Sequence, residues 1–287
     1  MSLLSAPVAP AVEPRQARTA GAGASQQRLG PLAGAGLGVA VLWLSLLVLL
    51  PLAAVLAKGT GDGWAGFSSA FTDHEAFSAI RLTVLCSLGV SIVNAVMGTV
   101  IAWVLVRDDF PGKRLLEILI DIPFALPTIV AGLVLLSLYG QQSPIGIDAY
   151  GTKPGILLAL LFVTLPFVVR TVQPVLLSLE TDAEEAARSL GAGALTTFRR
   201  IVLPGLLPAI VSGATLAFGR AMGEYGSVVL ISGQLQNRTE VASSYIYKQL
   251  QDDDLAGAAA TAVVLLIISL LVIALLGFLQ RWTARRG

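Results

Sequence analysis

An all-α membrane protein with six transmembrane helices and both termini in the cytoplasm is the fold this sequence predicts, on three observations. The chain is 55% hydrophobic and only 13% charged, with a mean hydropathy of +0.79, whereas a soluble protein carries about 25% charged residues. It contains six apolar runs of bilayer length. Its basic residues fall unevenly on the two sides of those runs.

A span needs roughly 20 apolar residues, because bilayer hydrocarbon is about 30 Å thick and a helix rises 1.5 Å per residue. Residues 1–30 are rich in Ala, Pro, Gln and Gly, with Arg15, Arg18 and Arg28 and no apolar face, and read as a disordered cytoplasmic tail. The first run, about 32–57, has a signal-like Val55-Leu56-Ala57 but is roughly twice the length of a signal core. It is read as an uncleaved helix. Further spans are expected at about 81–106, 117–140, 155–173, 206–231 and 257–280. These make a six-helix domain over 31–282, followed by a basic cytoplasmic tail, 283–287. Pro123 and Pro127 break or kink the start of the third span, and the backbone groups they free need neighbouring protein or a watery cavity. Gly30/Gly34/Gly38 and Gly219/Gly223 are spaced for close helix packing, or arise by chance in glycine-rich helices.

Orientation follows the basic residues. With the N-terminus inside, 13 Lys and Arg lie in cytoplasmic segments, among them Arg107, Lys113, Arg170 and Arg188. Five lie outside: Lys58, Arg81, Lys153, Arg238 and Lys248. Arg220 remains within a span. Trp64, Tyr150 and Tyr245 are placed as interfacial aromatics in the outer loops.

Several function classes are excluded. The one cysteine, Cys86, allows no internal disulfide, and the one histidine, His74, has no metal-ligand spacing to a partner and reads as a polar loop residue. None of the four lysines is followed by Ser or Thr, so no phosphate-binding loop exists. No nucleophile constellation is present, and no catalytic residue, metal, cofactor or nucleic-acid partner is expected. Energy for any transport must come from a partner or an ion gradient.

The loop 179–204 between spans four and five is the most informative segment. Thr181 with Glu184 is a capping-box start, acidic residues fill the first turn, Arg188 sits in the last, and Gly191 is a left-handed stop. A second short helix, about Ala194–Leu203, has Leu195, Phe198 and Ile201 or Val202 on one face and Arg199-Arg200 on the other; Pro204 is expected to end it. Such a pair suits either docking to another protein or lying in the interface as an amphipathic loop.

Glu185-Ala186-Ala187, three residues, Gly191, nine residues, then Ile201-Val202-Leu203-Pro204 resembles the EAA loop of binding-protein-dependent ABC importer permeases. The resemblance implies the type I ABC importer permease (MetI-like) fold. It makes Glu185, Ala186, Ala187, Gly191, Ile201, Leu203 and Pro204 an ATPase-docking surface, and a separate subunit hydrolyses ATP. Residues 119–127, 166–174 and 223–233 resemble the sulfate/thiosulfate permeases, in particular their T-type subunits, and the likeness spans about 35–281. It implies an inner-membrane, multi-pass subunit that moves sulfate or thiosulfate by alternating access. The implied partners are two copies of an ABC ATPase, a second homologous permease and an extracytoplasmic binding protein. Molybdate or tungstate permeases share a Gly-Glu-aromatic-Gly run and stand as the alternative. An ion-gradient-driven carrier would show inverted repeats and a proton or sodium site, neither of which is apparent.

Four polar residues lie within the spans. Arg220 and Glu224, at i and i+4 of span five, form either a structural clasp or a source of positive potential for a passing anion. Asn94 and Asp121 are expected to make packing hydrogen bonds, with the pathway as their other role.

Overall fold

The computed structural model describes residues 31–61, 68, 71–179 and 182–284. The expected tail 1–30, Trp64, Thr181 and the last three residues lie outside that set. The chain divides into two compact units, Met1–Leu50 and Pro51–Gly287. In the first lie α1 (Pro31–Leu44) and a π-helical stretch, Ser45–Leu49.

The second unit is a helical bundle. After α2 (Leu50–Gly59) come α3 (His74–Arg107), α4 (Lys113–Ala125), α5 (Thr128–Tyr139), α6 (Lys153–Ser178), α7 (Asp182–Ser189), α8 (Ala194–Thr197), α9 (Leu203–Met222), α10 (Gly226–Ile231), α11 (Ala242–Gln251) and α12 (Leu255–Ala284). Among the described residues five helices are long and apolar enough to cross a membrane, and α4 with α5 supplies a sixth crossing if that pair is counted as one span. The pair is bent by 116°. The break falls at Leu126-Pro127, because Pro127 cannot donate an amide and holds Leu126 extended (ψ 135°).

Two boundaries differ from expectation. Span five does not run to 231: α9 ends at Met222, and Gly223–Tyr225 is non-helical before α10 restarts. Nor does Pro204 end a helix. A π-helical stretch, Phe198–Val202, joins α8 to α9, and Pro204 sits in the first turn of α9. The Leu203 amide reaches back five residues to the Phe198 carbonyl. A turn widened in this way relieves the clash between a proline ring and the carbonyl four residues earlier. The same arrangement recurs at Pro51, where the Leu50 amide bonds to the Ser45 carbonyl.

Helices α3, α6 and α9 form the centre of the bundle. They close on Val168 from two sides. A Cβ on Gly98 of α3 would lie 2.8 Å from the Val168 Cβ, and one on Gly213 of α9 would lie 2.9 Å from its Cα. Such contact is how membrane helices gain dispersion energy where lipid removes the hydrophobic drive. Of the glycines singled out by spacing, Gly219 and Gly223 sit at no such seam: a Cβ added at Gly219 would lie 3.5 Å from Ile273 Cδ1, an ordinary contact, and one at Gly223 would enter open space among the described residues.

The bundle has two polar ends. One, here the basic end, has Arg107, Arg188, Arg199 and Arg200 on or beside α7 and the π-helical stretch after α8. At the opposite end Asp73 caps α3 by accepting the Glu75 amide at 2.9 Å, and Lys248 pairs with Glu75 at 2.5 Å. Tyr245, expected as an interfacial aromatic, is instead buried and donates to Asp73 Oδ2 at 2.6 Å.

Candidate functional site

At the basic end, α7 is short and strongly polarised. Asp182, Glu184 and Glu185 occupy its first turn and Arg188 its last. It terminates as the sequence predicts: Gly191 adopts φ +84°, its amide bonds to Arg188 O, and the Ala192 amide bonds to Ala187 O. These are the two bonds of a Schellman motif.

The side chain that fixes α7 to the bundle is Glu184. It is 5% exposed and accepts a hydrogen bond of 2.5 Å from Arg107 at the end of α3, with Arg188 at 3.7 Å on its other oxygen. The Arg107 guanidinium lies 5.5 Å from the Trp103 ring centre, and Trp103 meets Phe198 edge-on at 5.4 Å. One chain of contacts thus links the end of α3, α7 and the π-helical entry to α9. From the sequence, Glu184 is only a capping partner and Arg107 only an orienting charge. The i,i+4 pairing of Glu184 with Arg188 was the available signal.

With Glu184 turned inward, the neighbouring face points out. Glu185, Ala186 and Gly191 are exposed, Ala187 is half-buried, and Leu190 and Leu195 are 89% and 69% exposed. The result is a small apolar and acidic surface on a capped helix-turn. Ile201, Leu203 and Pro204 are half-buried, and Val202 joins Leu206, Val172 and Leu105 in the core. These four seat the element; the exposed residues face outward.

The intramembrane residues resolve into pairs. Arg220 and Glu224 form an ion pair with side chains 32% and 1% exposed. They do not share a helix, however: Arg220 is in the last turn of α9, and Glu224 lies beyond its end. Glu224 also accepts the Ser227 amide at 2.8 Å, and its carbonyl accepts from the Ser243 hydroxyl at 2.8 Å. A cation at a helix C-terminus and an anion at a helix N-terminus are each favoured by the helix dipole. The pair therefore spans a break that lipid could not tolerate unsupported. Asn94 donates to Thr164 Oγ1 at 2.8 Å and Leu161 O at 3.3 Å, joining α3 to α6. Asp121 is held by Arg170 in a fork, and Arg170 also donates to Gln173 at 3.0 Å. His74 opens α3 rather than a loop, with Nδ1 2.9 Å from Asn237 Oδ1. Among the described residues no cluster of His, Cys, Asp or Glu is arranged to hold a metal.

Comparison with known proteins gives a consistent picture. Residues 94–286 match the family described as "Binding-protein-dependent transport system inner membrane component". A Synechocystis protein named sulfate transport system permease protein CysT is 43% identical over 254 residues, 86% of this chain and 89% of the relative. Proteins of the same name from Salmonella typhimurium and Escherichia coli are 42% and 41% identical, each over 91% of this chain and 97% of the relative. Among solved structures, a bacterial ABC transporter that imports alginate matches with TM-score 0.72 at 17% identity, covering 87% of this chain and 95% of that one. The MetNI methionine transporter matches with TM-score 0.53 at 18% identity, covering 72% and 94%. These structures share the fold of type I importer permeases. The apolar helices, the fold and the match over two thirds of its length show that this chain belongs to the inner-membrane components of binding-protein-dependent transport systems, a family of multi-pass ABC importer permeases.

Proposed function

We propose that this chain is the T-type permease subunit of an ATP-driven importer for sulfate or thiosulfate, with both termini cytoplasmic and the basic end facing the cytoplasm. The substrate reading is carried by one observation: relatives matched over nine tenths of the chain at 41–42% identity are named sulfate transport permeases. In this reading residues 31–282 are the permease domain, flanked by cytoplasmic tails 1–30 and 283–287. The chain has no phosphate-binding loop, so ATP hydrolysis belongs to two copies of a separate ATPase. A second, homologous permease completes the pathway, and an extracytoplasmic binding protein delivers the anion.

Glu185, Ala186, Ala187 and Gly191, with Leu190 and Leu195 beside them, are the surface that meets the ATPase. Ile201, Leu203 and Pro204 join that surface to α9. Closure of the ATPase pair would move α7, and the contacts of Glu184 and Phe198 would pass the movement to α3 and α9. Arg220 and Glu224 act as a clasp across the broken span. Pairing mutes the cationic charge, which suits a permease that must release its anion. Asn94 and Asp121 hold helices together.

Uptake of radiolabelled sulfate in a strain deleted for its own permease tests the substrate. The chain, co-expressed with its partners, should restore uptake that excess thiosulfate suppresses and molybdate leaves largely intact. Uptake blocked only by molybdate would overturn the assignment.

A further inference from the structure

At the end opposite α7, a cavity of about 430 Å³ is lined by His74, Arg81, Lys153, Asn237 and Arg238. The cations come from three separate places: α3, the first residue of α6, and the loop before α11. Arg81, Lys153 and Arg238 are all exposed, and none has a hydrogen bond or ion pair to its side chain among the described residues. Among the described residues no carboxylate lines the cavity. The nearby acids are engaged elsewhere, Asp73 with Tyr245 and Glu75 with Lys248 and Gln236. Three of the five basic residues placed outside the membrane by the charge distribution therefore converge on one hollow without a counter-ion among the described residues. Like charges repel, and an ordinary solvated surface disperses them; their convergence on a concave site favours an anionic ligand.

The apolar side of the cavity narrows the ligand. Phe77 and Leu85, 47% and 56% exposed, line it alongside the cations. Leu85 heads a stripe on α3 that continues through Ile92, Val96 and Val100, all at least half exposed. A pocket of cations at the top of an exposed apolar helix face has the layout of a lipid headgroup site, with acyl chains running along the stripe. We propose that His74, Arg81, Lys153 and Arg238 bind a tetrahedral oxyanion group, and that the phosphodiester of an anionic lipid is its principal source, free sulfate or phosphate being the other. The inference rests on the membrane fold and not on the identity of the transported anion.

The test uses the full chain with its partners in phosphatidylcholine nanodiscs, with spin-labelled phosphatidylglycerol and phosphatidylcholine competing for the protein surface. Wild type should prefer phosphatidylglycerol, and each cation lost should lower that preference about fivefold, so that R81Q/K153Q/R238Q shows none. R199Q/R200Q, at the other end, should keep it, and R81K/R238K should retain most of it. Calorimetric titration with sodium sulfate forms the second arm. Sulfate binding lost in the triple variant, without a lipid preference in wild type, would assign the oxyanion site to the free ion. If the triple variant does not fold, R238Q alone, on an exposed loop, carries the test. Wild-type lipid preference and wild-type sulfate binding in the variants would overturn the proposal, as would absence of both in wild type. A chain that failed to carry sulfate would leave the lipid arm unaffected.

Discussion

Glu184 and Glu185 are adjacent carboxylates with opposite fates, and the contrast makes a specific prediction. Glu184 is buried against Arg107, whereas Glu185 is exposed. Removing one partner of a buried ion pair leaves the other uncompensated and typically costs about 3–5 kcal/mol. Glu184→Ala should therefore lower the thermal midpoint in detergent as well as ATPase co-purification. Glu185→Lys should abolish co-purification and leave the midpoint within the range expected of a surface change, about 0.5 kcal/mol. Gly191→Ala places a side chain at φ +84°, at a cost of about 1–2 kcal/mol, while Gly191→Asn should cost less. At the opposite end Glu240 is 5% exposed, one of its oxygens meets no donor, and burial, with the Glu75 carboxyl beside it, pushes it up to about 7. The folded state thus holds a proton that the unfolded chain releases near 4.5, and this contribution to stability is lost as pH rises through about 7. The midpoint should fall between pH 5 and pH 8 by an amount equivalent to about 1–3 kcal/mol. Glu240→Gln should flatten that slope; an unchanged slope would assign it to other groups. The EAA spacing singles out Glu185 and passes over Glu184, because burial of Glu184 depends on Arg107, 77 positions away.

Among the elements, the helix that enters the membrane after α7 is continuous where a stop was expected and broken where continuity was expected. Local propensity explains both differences. Pro204 stops a regular α-helix, but one widened turn before it accepts the ring, and hydropathy cannot register a change from four-residue to five-residue bonding. Conversely, Gly223–Tyr225 is polar but short, and the apolar residues on either side carry the predicted span through it. The break becomes visible only when Glu224 takes the Ser227 amide and Arg220 takes Glu224. Glu224→Gln would keep the shape but leave Arg220 unpaired, and should lower stability by about 1–3 kcal/mol and uptake with it. Double replacement by Arg220→Gln and Glu224→Gln should recover more stability than the single changes imply, as coupled sites do. Packing supplies a second measure. Gly213→Ala would press a Cβ against the Val168 backbone at 2.9 Å, and overpacking of that kind costs about 1–3 kcal/mol. The glycine spacings noted in the sequence do not mark this seam. Gly98 and Gly213 lie 115 positions apart and are brought together only through Val168.

For the whole molecule, the membrane class, the number of apolar runs and the division into a basic end and an opposite end were all legible, because bilayer thickness and charge placement act on the sequence directly. Depth and tilt were not. Helix α3 is 34 residues, about 51 Å at 1.5 Å per residue, so its first turns extend past the hydrocarbon. There His74 and Glu75 join a polar network that hydropathy had left as loop. The two ends differ in character. The opposite end is a ring of buried and paired polar groups around α11, with a cationic hollow beside it. The basic end presents Glu185, Ala186, Leu190 and Leu195 on a helix-turn held by Arg107 and Trp103. We propose that this surface receives the ATPase.

The most direct test is cross-linking of Ala186→Cys, in a background with Cys86 replaced by Ala, to the co-expressed ATPase, with sulfate-stimulated ATP hydrolysis measured in proteoliposomes. Docking at α7 requires a cross-link from Ala186→Cys and none from Gln142→Cys in the loop after α5. It also requires that adding Glu185→Lys removes both the cross-link and the stimulation. An ATPase that cross-links at neither site, or stimulation that survives Glu185→Lys unchanged, would contradict it.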